Sequence, residues 1–321
     1  MRYVITGASG HIGNNLVRLI AQKEPSAEIL LLTRRPITKE IENIPCKQVV
    51  GNLSDVNFLR EHITSSSFVV HLAGVVDLTN KKKEECQKVN VLLTKTICDV
   101  CQTVGVQKFI YVGSVDGIDK SDAVQPIREP LEYYPEKIQG NYGQSKAEAM
   151  RYVWRKIQTE NGFNAAMVLP SAVIGVYDYK PSAVGRVVLN TLLKKPQLGL
   201  DGGYNFVNVK DVSAGIFALL HTTQKGQFIL SGENVTVREM YVAINKIKGW
   251  RKKPIIFPNW LVNAVAPFTK ILSPITLKAL REPHDYSSEL AEKTLGYKRT
   301  PFEETIRETI EWFEQNLNLF T

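Results

Sequence analysis

Apolar positions in the first half of the chain follow two alternating rhythms. Short uninterrupted runs recur at Tyr3-Val4-Ile5, Ile29 to Leu32, Val49-Val50, Phe68 to Leu72 and Phe109 to Val112. Between them, apolar residues fall at helical spacing. Ile12 to Lys23 carries Ile12, Leu16, Leu19 and Ile20 on one face, and Val89 to Val104 and Tyr142 to Glu160 are longer stretches of the same kind. Strands that are apolar throughout are buried on both faces, as in a parallel sheet. Their alternation with helices predicts a doubly wound α/β fold with right-handed crossovers.

After Pro170 the rhythm loosens. Short strands, Phe206 to Val209 and Gln227 to Leu230, sit among helices, and prolines cluster between positions 254 and 283. The expected organisation is a sheet domain over residues 1–170 and a smaller, α-rich part over 171–321, with the chain crossing between the two. The last helix, about Pro301 to Asn318, has Phe302, Ile306, Ile310 and Phe313 on one face and a proline in its first turn. The segment from Phe257 to Leu272 is markedly apolar; packing onto the sheet is its ordinary reading, and a pocket lid or membrane contact are alternatives.

Directly after the first strand comes Thr6-Gly7-Ala8-Ser9-Gly10-His11-Ile12-Gly13, and then a helix. Gly7 permits a sharp turn, Gly10 lets backbone approach a pyrophosphate, and Gly13 lets helix and strand pack closely. Free N–H groups at the helix start then face the diphosphate. This context predicts a dinucleotide-binding, Rossmann-type sheet. The second strand ends in Leu32-Thr33-Arg34-Arg35, with no acid to accept from ribose hydroxyls. A guanidinium pairs with a 2′-phosphate and a carboxylate repels it, so NADP is expected over NAD.

Tyr142-Gly143-Gln144-Ser145-Lys146 opens a helix, and residues four apart share a face. A phenol has an ordinary pKa near 10, and a neighbouring ammonium favours its ionised form.

Composition narrows the setting. With 44% hydrophobic and 22% charged residues the chain is ordinary globular protein, not disordered. Four cysteines, at 46, 86, 98 and 101, do not make a disulfide framework; Cys98 and Cys101 lie in a helical pattern and are read as structural. No stretch of 18 apolar residues appears, and the N-terminus runs straight into a strand, so neither a membrane span nor a signal peptide is expected and the cytoplasm is the default. The net charge of +8, from 40 basic and 32 acidic residues, leaves nucleic acid, an anionic surface or an anionic small molecule open. No recognition motif supports nucleic acid. The Lys81–Lys83 and Arg251–Lys253 clusters read as solvated surface.

Taken together, these motifs resemble those of the extended short-chain dehydrogenase/reductase superfamily of NAD(P)-dependent reductases, epimerases and dehydratases, over nearly the whole chain. T-G-A-S-G-H-I-G matches the cofactor turn, which implies cofactor contacts from Gly7, Ser9, Gly10, His11, Ile12 and Gly13. G-N-L-S-D at 51–55 resembles the adenine segment, with Asn52 where the family usually has Asp, and Leu53 in place. H-L-A-G at 71–74 matches the turn that borders the cofactor, Leu72, Ala73 and Gly74. Asn90 matches an asparagine that is usually structural. F-I-Y-V-G-S-V at 109–115 places the family's catalytic hydroxyl at Ser114, and Y-G-Q-S-K places its Tyr and Lys at Tyr142 and Lys146. L-P-S-A-V-I-G at 169–175 matches the strand end beside the nicotinamide, at Pro170 and Ser171. F-V-N-V-K-D-V at 206–212 resembles a late motif supporting the substrate part.

The resemblance implies hydride transfer to or from NADP. Tyr142 would give the proton, Ser114 would hydrogen-bond the same oxygen, and Lys146 would lower the Tyr142 pKa and hold the nicotinamide ribose. Leu169 before Pro170 and the basic Arg34-Arg35 resemble the dihydroflavonol-reductase-like branch. That favours a reductase or dehydrogenase of a fairly apolar small molecule. A nucleotide-sugar epimerase or dehydratase is the alternative, although Val115-Asp116 breaks the dehydratases' Asp-Glu pair. A non-catalytic NADP-binding sensor or assembly protein is a third reading. Asp116, Tyr177 and Tyr179 are candidate substrate residues. His11 is expected to be exposed beside the cofactor, no metal is expected, and a homodimer is implied by resemblance alone.

Overall fold

Four of the five apolar runs become strands buried between helices; the weak run Val49-Val50 becomes an edge strand with Val50 exposed. The structure, a computed structural model, describes all residues except 78, 122–123, 160–161, 261, 263–273, 283 and 321. Strands β1 (Arg2–Thr6), β2 (Glu28–Thr33), β3 (Lys47–Val50), β4 (Ser67–His71), β5 (Lys108–Val112) and β6 (Ala165–Pro170) are followed by β7 (Ala172–Ile174), β8 (Leu198–Leu200), β9 (Gly203–Asn208), β10 (Gly226–Leu230), β11 (Glu233–Thr236) and β12 (Ile255–Phe257). Seven form one parallel sheet in the order β10-β6-β5-β4-β1-β2-β3. β11-β9-β7 form a second sheet and β12-β8 a third.

Helices α1 (His11–Lys23), α2 (Val56–His62), α3 (Lys83–Cys86), α4 (Leu93–Val104), α5 (Asn141–Thr159), α6 (Ala183–Leu192), α7 (Val209–Leu220), α8 (Val237–Lys248), α9 (Pro274–Ala279), α10 (Glu289–Leu295) and α11 (Phe302–Gln315) complete the described elements. Residues from α2, α4 and α5 cover one face of the large sheet through Leu59, Ile97, Met150 and Val153. Residues from α1 and α7 cover the other through Leu16, Ile20, Val212 and Ile216. A separate core joins α6, α8 and α11 to β7, β9 and β11. The fold is therefore Rossmann-like, as its pattern predicts.

Several boundaries move for local reasons. The strand expected to end at Val209 ends at Asn208, whose side chain accepts from Lys210 N at 2.9 Å and so starts α7 one residue earlier. Pro301 is the N-cap of α11, outside its first turn. The helix expected from Val89 is longer: α3 runs through a π-helical stretch, Gln87–Leu92, into α4, which Gly105 stops in a left-handed conformation (φ 71°). Both β10 and α7 follow Pro170 in sequence yet belong to the large sheet and its cover, so the chain crosses back after that point. Of the apolar 257–272 segment most lies outside the described residues; Val262 is buried and Trp260 exposed. No helix among the described residues is long and apolar enough to cross a membrane.

Candidate active site

Strand order reverses between β1 and β4, whose ends meet in register at Thr6 and His71. A crevice at such a reversal is where open α/β sheets hold ligands. The glycine turn lies there. Gly7 has φ +78°, and a Cβ on it would stand 2.6 Å from the backbone of Leu72 and Ala73. A Cβ on Gly13 would stand 2.3 Å from the Gly7 carbonyl oxygen. Gly10 closes the turn, donating to Gly7 O at 2.9 Å, and no side chain caps the start of α1. Ser9 and Ile12 are half-buried in the same loop. Uncapped N–H groups at a helix start are what a diphosphate needs.

His11 departs from expectation. It is half-buried, not exposed, because a ring nitrogen meets Val176 O at 3.0 Å, and burial lowers its pKa. Asn14 and Asn15 tie the same loop to α1 through Tyr177 O and Val176 O.

On the far side of β2, a cavity of about 130 Å³ is lined by Arg34, Asn52, Leu53, Ser54, Lys88, Val89 and Leu93. It brings together Arg34, Asn52 and Leu53 as expected. Arg35 is exposed and stands outside this lining. Asn52 spends its side-chain oxygen on Ser54 N at 3.0 Å. Lys88 is an addition; it reaches the cavity from the π-helical stretch, where helical spacing read from the sequence loses its phase.

The third group sits at the ends of β5 and α5. Ser114 follows β5 and is 6% exposed; its hydroxyl accepts from Asp116 N at 3.2 Å and is near enough to the Tyr142 phenol, at the start of α5, to favour its ionised form. Lys146, one turn further on, is buried; it donates to Val112 O at 2.9 Å and lies 5.1 Å over the Tyr111 ring. Its ammonium is within 3.6 Å of where a Cβ on Gly74 would be, so it faces the turn formed by Leu72, Ala73 and Gly74. Burial pulls the Lys146 pKa down to about 8. Burial and the Asp116 carboxylate push the Tyr142 phenol up, and the nearby Ser114 hydroxyl offsets part of that. Burial and Asp116 thus outweigh any pull of Lys146 on the phenol.

Residues around this group hold it in place. Asn90 donates to Ser145 Oγ at 2.9 Å and to Val75 O at 2.9 Å, and accepts from Val75 N at 2.8 Å. His71 is fully buried between Thr6 Oγ1 at 2.7 Å and Thr94 Oγ1 at 2.9 Å; burial and Lys146 pull its pKa down to about 3, so it is a neutral tie between β1, β4 and α4. Pro170 ends β6. Ser171 beside it is 6% exposed, and its hydroxyl is buried without a partner. An orphan hydroxyl at this strand end fits a carboxamide-bearing ring in the crevice. Cys98 and Cys101 are buried in α4, and burial raises both thiols.

Asp116, two residues past Ser114, accepts a short hydrogen bond from the Tyr204 phenol and so faces this group. Tyr177 and Tyr179 do not join it. Arg18 lies 4.2 Å over the Tyr177 ring and donates to Tyr179 OH at 3.2 Å, and Trp312 packs edge-on against Tyr179 at 5.3 Å. Both rings are committed to tying α1 to α11.

The sequence profile of the NAD dependent epimerase/dehydratase family matches residues 3–231. The chain belongs to that family. It is accordingly an NAD(P)-dependent enzyme with a nicotinamide cofactor. A Synechocystis protein provisionally named dihydroflavonol 4-reductase is 26% identical over 330 residues, covering 98% of this chain and 95% of its own. The mouse sterol-4-alpha-carboxylate 3-dehydrogenase, decarboxylating, is 24% identical, covering 96% and 90%. Among solved structures, gox2253 superposes with a TM-score of 0.84 at 26% identity, covering 98% of both chains. A UDP-glucose 4-epimerase from Thermotoga maritima superposes with a TM-score of 0.82 at 18% identity, covering 99% and 100%, a likeness of fold.

Proposed function

We propose that the protein is an NADP-dependent oxidoreductase. It would move a hydride between the nicotinamide and a carbonyl or secondary alcohol of a largely apolar small molecule, using Ser114, Tyr142 and Lys146. The observation that carries this reading is the nearness of Ser114 to the Tyr142 phenol, with buried Lys146 one turn away and its ammonium at the Gly74 turn. The nicotinamide supplies or takes up the hydride when bound. Every other task falls to side chains. Because burial and Asp116 raise the Tyr142 pKa, the phenol keeps its proton at neutral pH and can deliver it to an oxygen that gains charge. Ser114 donates to the same oxygen. Lys146 would hold a ribose hydroxyl at the Gly74 turn. Gly7, Gly10 and Gly13 would cradle the diphosphate, and Arg34 the 2′-phosphate.

Two relatives support the substrate class, since a dihydroflavonol reductase and a sterol dehydrogenase are both named for oxidoreduction of a ring compound. Leu169, fully buried in β6, stands where many nucleotide-sugar enzymes carry arginine, which counts against the epimerase alternative. The test has two arms. A thermal-shift titration should show greater stabilisation by NADP(H) than by NAD(H); the reverse order would overturn the role of Arg34. NADPH consumption with a panel of aldehydes and ketones should collapse in Tyr142→Phe, and equal rates in both proteins would sink the hydride-transfer reading.

A further inference from the structure

Polar side chains from distant parts of the chain converge beside Tyr142. Asp116 accepts from the Tyr204 phenol. The Tyr204 ring lies 4.2 Å from that of His284, and His284 lies 6.4 Å from Tyr286. The Lys120 ammonium is 5.6 Å from the Tyr286 ring centre and 3.5 Å from Glu282 Oε2. Asp116 links this group to the proposed proton donor, since its charge acts on Tyr142, His284 and Tyr286 alike.

Three atoms in the cluster are anomalous. Both ring nitrogens of His284 and the hydroxyl of Tyr286 are buried with no partner in hydrogen-bond geometry; the Lys120 ammonium and the Ala279 backbone are near enough only to act on their charge. Tyr286 as a whole is 2% exposed. Unpaired buried polar groups are costly and rare, and they call for a ligand or a water. The local charge says what kind of ligand. Lys120 is countered by Glu282 and Asp116, so the cluster has no surplus positive charge to select an anion. Burial and Lys120 lower the His284 pKa to about 4, so its ring is neutral, with one donor and one acceptor. A phenol can do either. The complement of this set is an uncharged oxygen.

We propose that His284 and Tyr286 form a polar subsite for a second, uncharged oxygen function of the substrate, a hydroxyl or keto group remote from the carbon that reacts. The proposal rests on the reading above only in placing the reacting carbon at Tyr142. It modifies the expectation of a simply apolar substrate: the molecule is oxygenated at two separated positions.

The test uses the whole protein saturated with NADPH and matched cyclic ketones. Each set holds the plain ketone, its hydroxy analogue and its diketone, with the added oxygen across the ring system from the carbonyl. Affinity is read by thermal shift and turnover by NADPH consumption. At least one oxygenated member should bind tenfold or more tightly than its plain ketone, equivalent to about 1.4 kcal/mol. Which member wins separates hydroxyl from keto recognition. That preference should fall close to unity in Tyr286→Phe and in His284→Phe, while both variants keep the NADPH-induced shift. Absence of any preference in the wild type, or a preference that survives both substitutions, would overturn the subsite. Unliganded Tyr286→Phe should melt at or above the wild type, because it removes an unpaired hydroxyl; a marked drop would mean that the hydroxyl has a structural partner and would also overturn it. If oxygenated ketones bind with the expected preference but no NADPH is consumed, the hydride-transfer reading falls and the subsite stands. If NADPH is consumed without any preference, the subsite falls and hydride transfer stands.

Discussion

Gly10 and Gly13 of the first turn should respond differently to an added methyl group, and the difference is large enough to measure. A Cβ on Gly13 would meet the Gly7 carbonyl oxygen at 2.3 Å and Ala8 Cα at 2.8 Å, well inside the 3.4 Å where ordinary contact begins. Both obstacles are backbone, so neither can swing aside. Overpacking of this kind costs about 1–3 kcal/mol. A chain of 321 residues has an unfolding entropy of about 0.7 kcal/mol/K, so 1 kcal/mol moves Tm by about 1.5 °C. Gly13→Ala should therefore lower the unliganded Tm by about 2–5 °C. A Cβ on Gly10 meets only Gly7 O, at 3.2 Å, which a shift of a few tenths of an ångström relieves. Gly10→Ala should keep its unliganded Tm within about 1 °C of the wild type. Its methyl would stand instead where backbone approaches the diphosphate. Cofactor at a hundredfold over Kd stabilises by about 2.7 kcal/mol, or roughly 4 °C here. A tenfold loss of affinity in Gly10→Ala would cut that shift by about 2 °C. Scanning fluorimetry with and without NADPH measures both quantities. If Gly13→Ala melts with the wild type while unliganded Gly10→Ala drops, the division into a packing glycine and a phosphate-facing glycine is wrong.

Three further outcomes follow from the site. Tyr142→Phe should lose about 10²–10⁴ in kcat/KM while retaining its NADPH-induced thermal shift, and a variant with undiminished kcat/KM would remove Tyr142 from proton transfer. Arg34→Ala should weaken NADP binding about tenfold or more, as expected for loss of a charge-assisted contact, and leave NAD binding nearly unchanged; isothermal titration of both cofactors decides it. Burial lowers the pKa of Lys146 and of Lys108 to about 8, against 10.5 for an ordinary lysine. Between those values the unfolded chain holds protons that the native state has released, so the contribution of these groups to stability rises with pH from about 8 to 10.5. Urea midpoints taken across that window should climb less steeply in Lys146→Met than in the wild type, and identical slopes would show that Lys146 is not desolvated.

What was legible in the chain divides along a physical line. Strands buried on both faces, such as Phe109 to Val112, announce themselves by composition, and the glycine turn and the Tyr142–Lys146 pair are local spacings that need no knowledge of the tertiary fold. Element ends were less legible, because Asn208 and Pro301 act as caps and set them by single side chains. Tyr177 and Tyr179 illustrate the limit: a pair of tyrosines in a loop beyond β6 reads as pocket lining until Arg18 and Trp312, from two remote helices, are seen to hold them. His284, Tyr286, Lys120 and Tyr204 are the converse. Each is ordinary among its sequence neighbours, and only the packing of loops against β9 brings the four together with Asp116. Periodicity reports which face of an element is buried, not which loop it will meet.

The π-helical stretch between α3 and α4 joins two cleft duties on one rod. Lys88 and Val89 line the cavity beside Arg34, while Asn90 is bonded to Val75 and Ser145 next to Lys146. Each residue of a π-helix, with its wider i→i+5 turn, advances it around its axis by somewhat less than the ~100° of an α-helix. Removing one residue from this stretch would therefore turn everything before it through about a quarter of a circle relative to α4. The lining beside Arg34 and the asparagine bracket could not both survive that rotation. A one-residue deletion among these six positions should therefore disturb both the Arg34 cavity and the Asn90 bonds, where a deletion in an exposed loop should leave both intact.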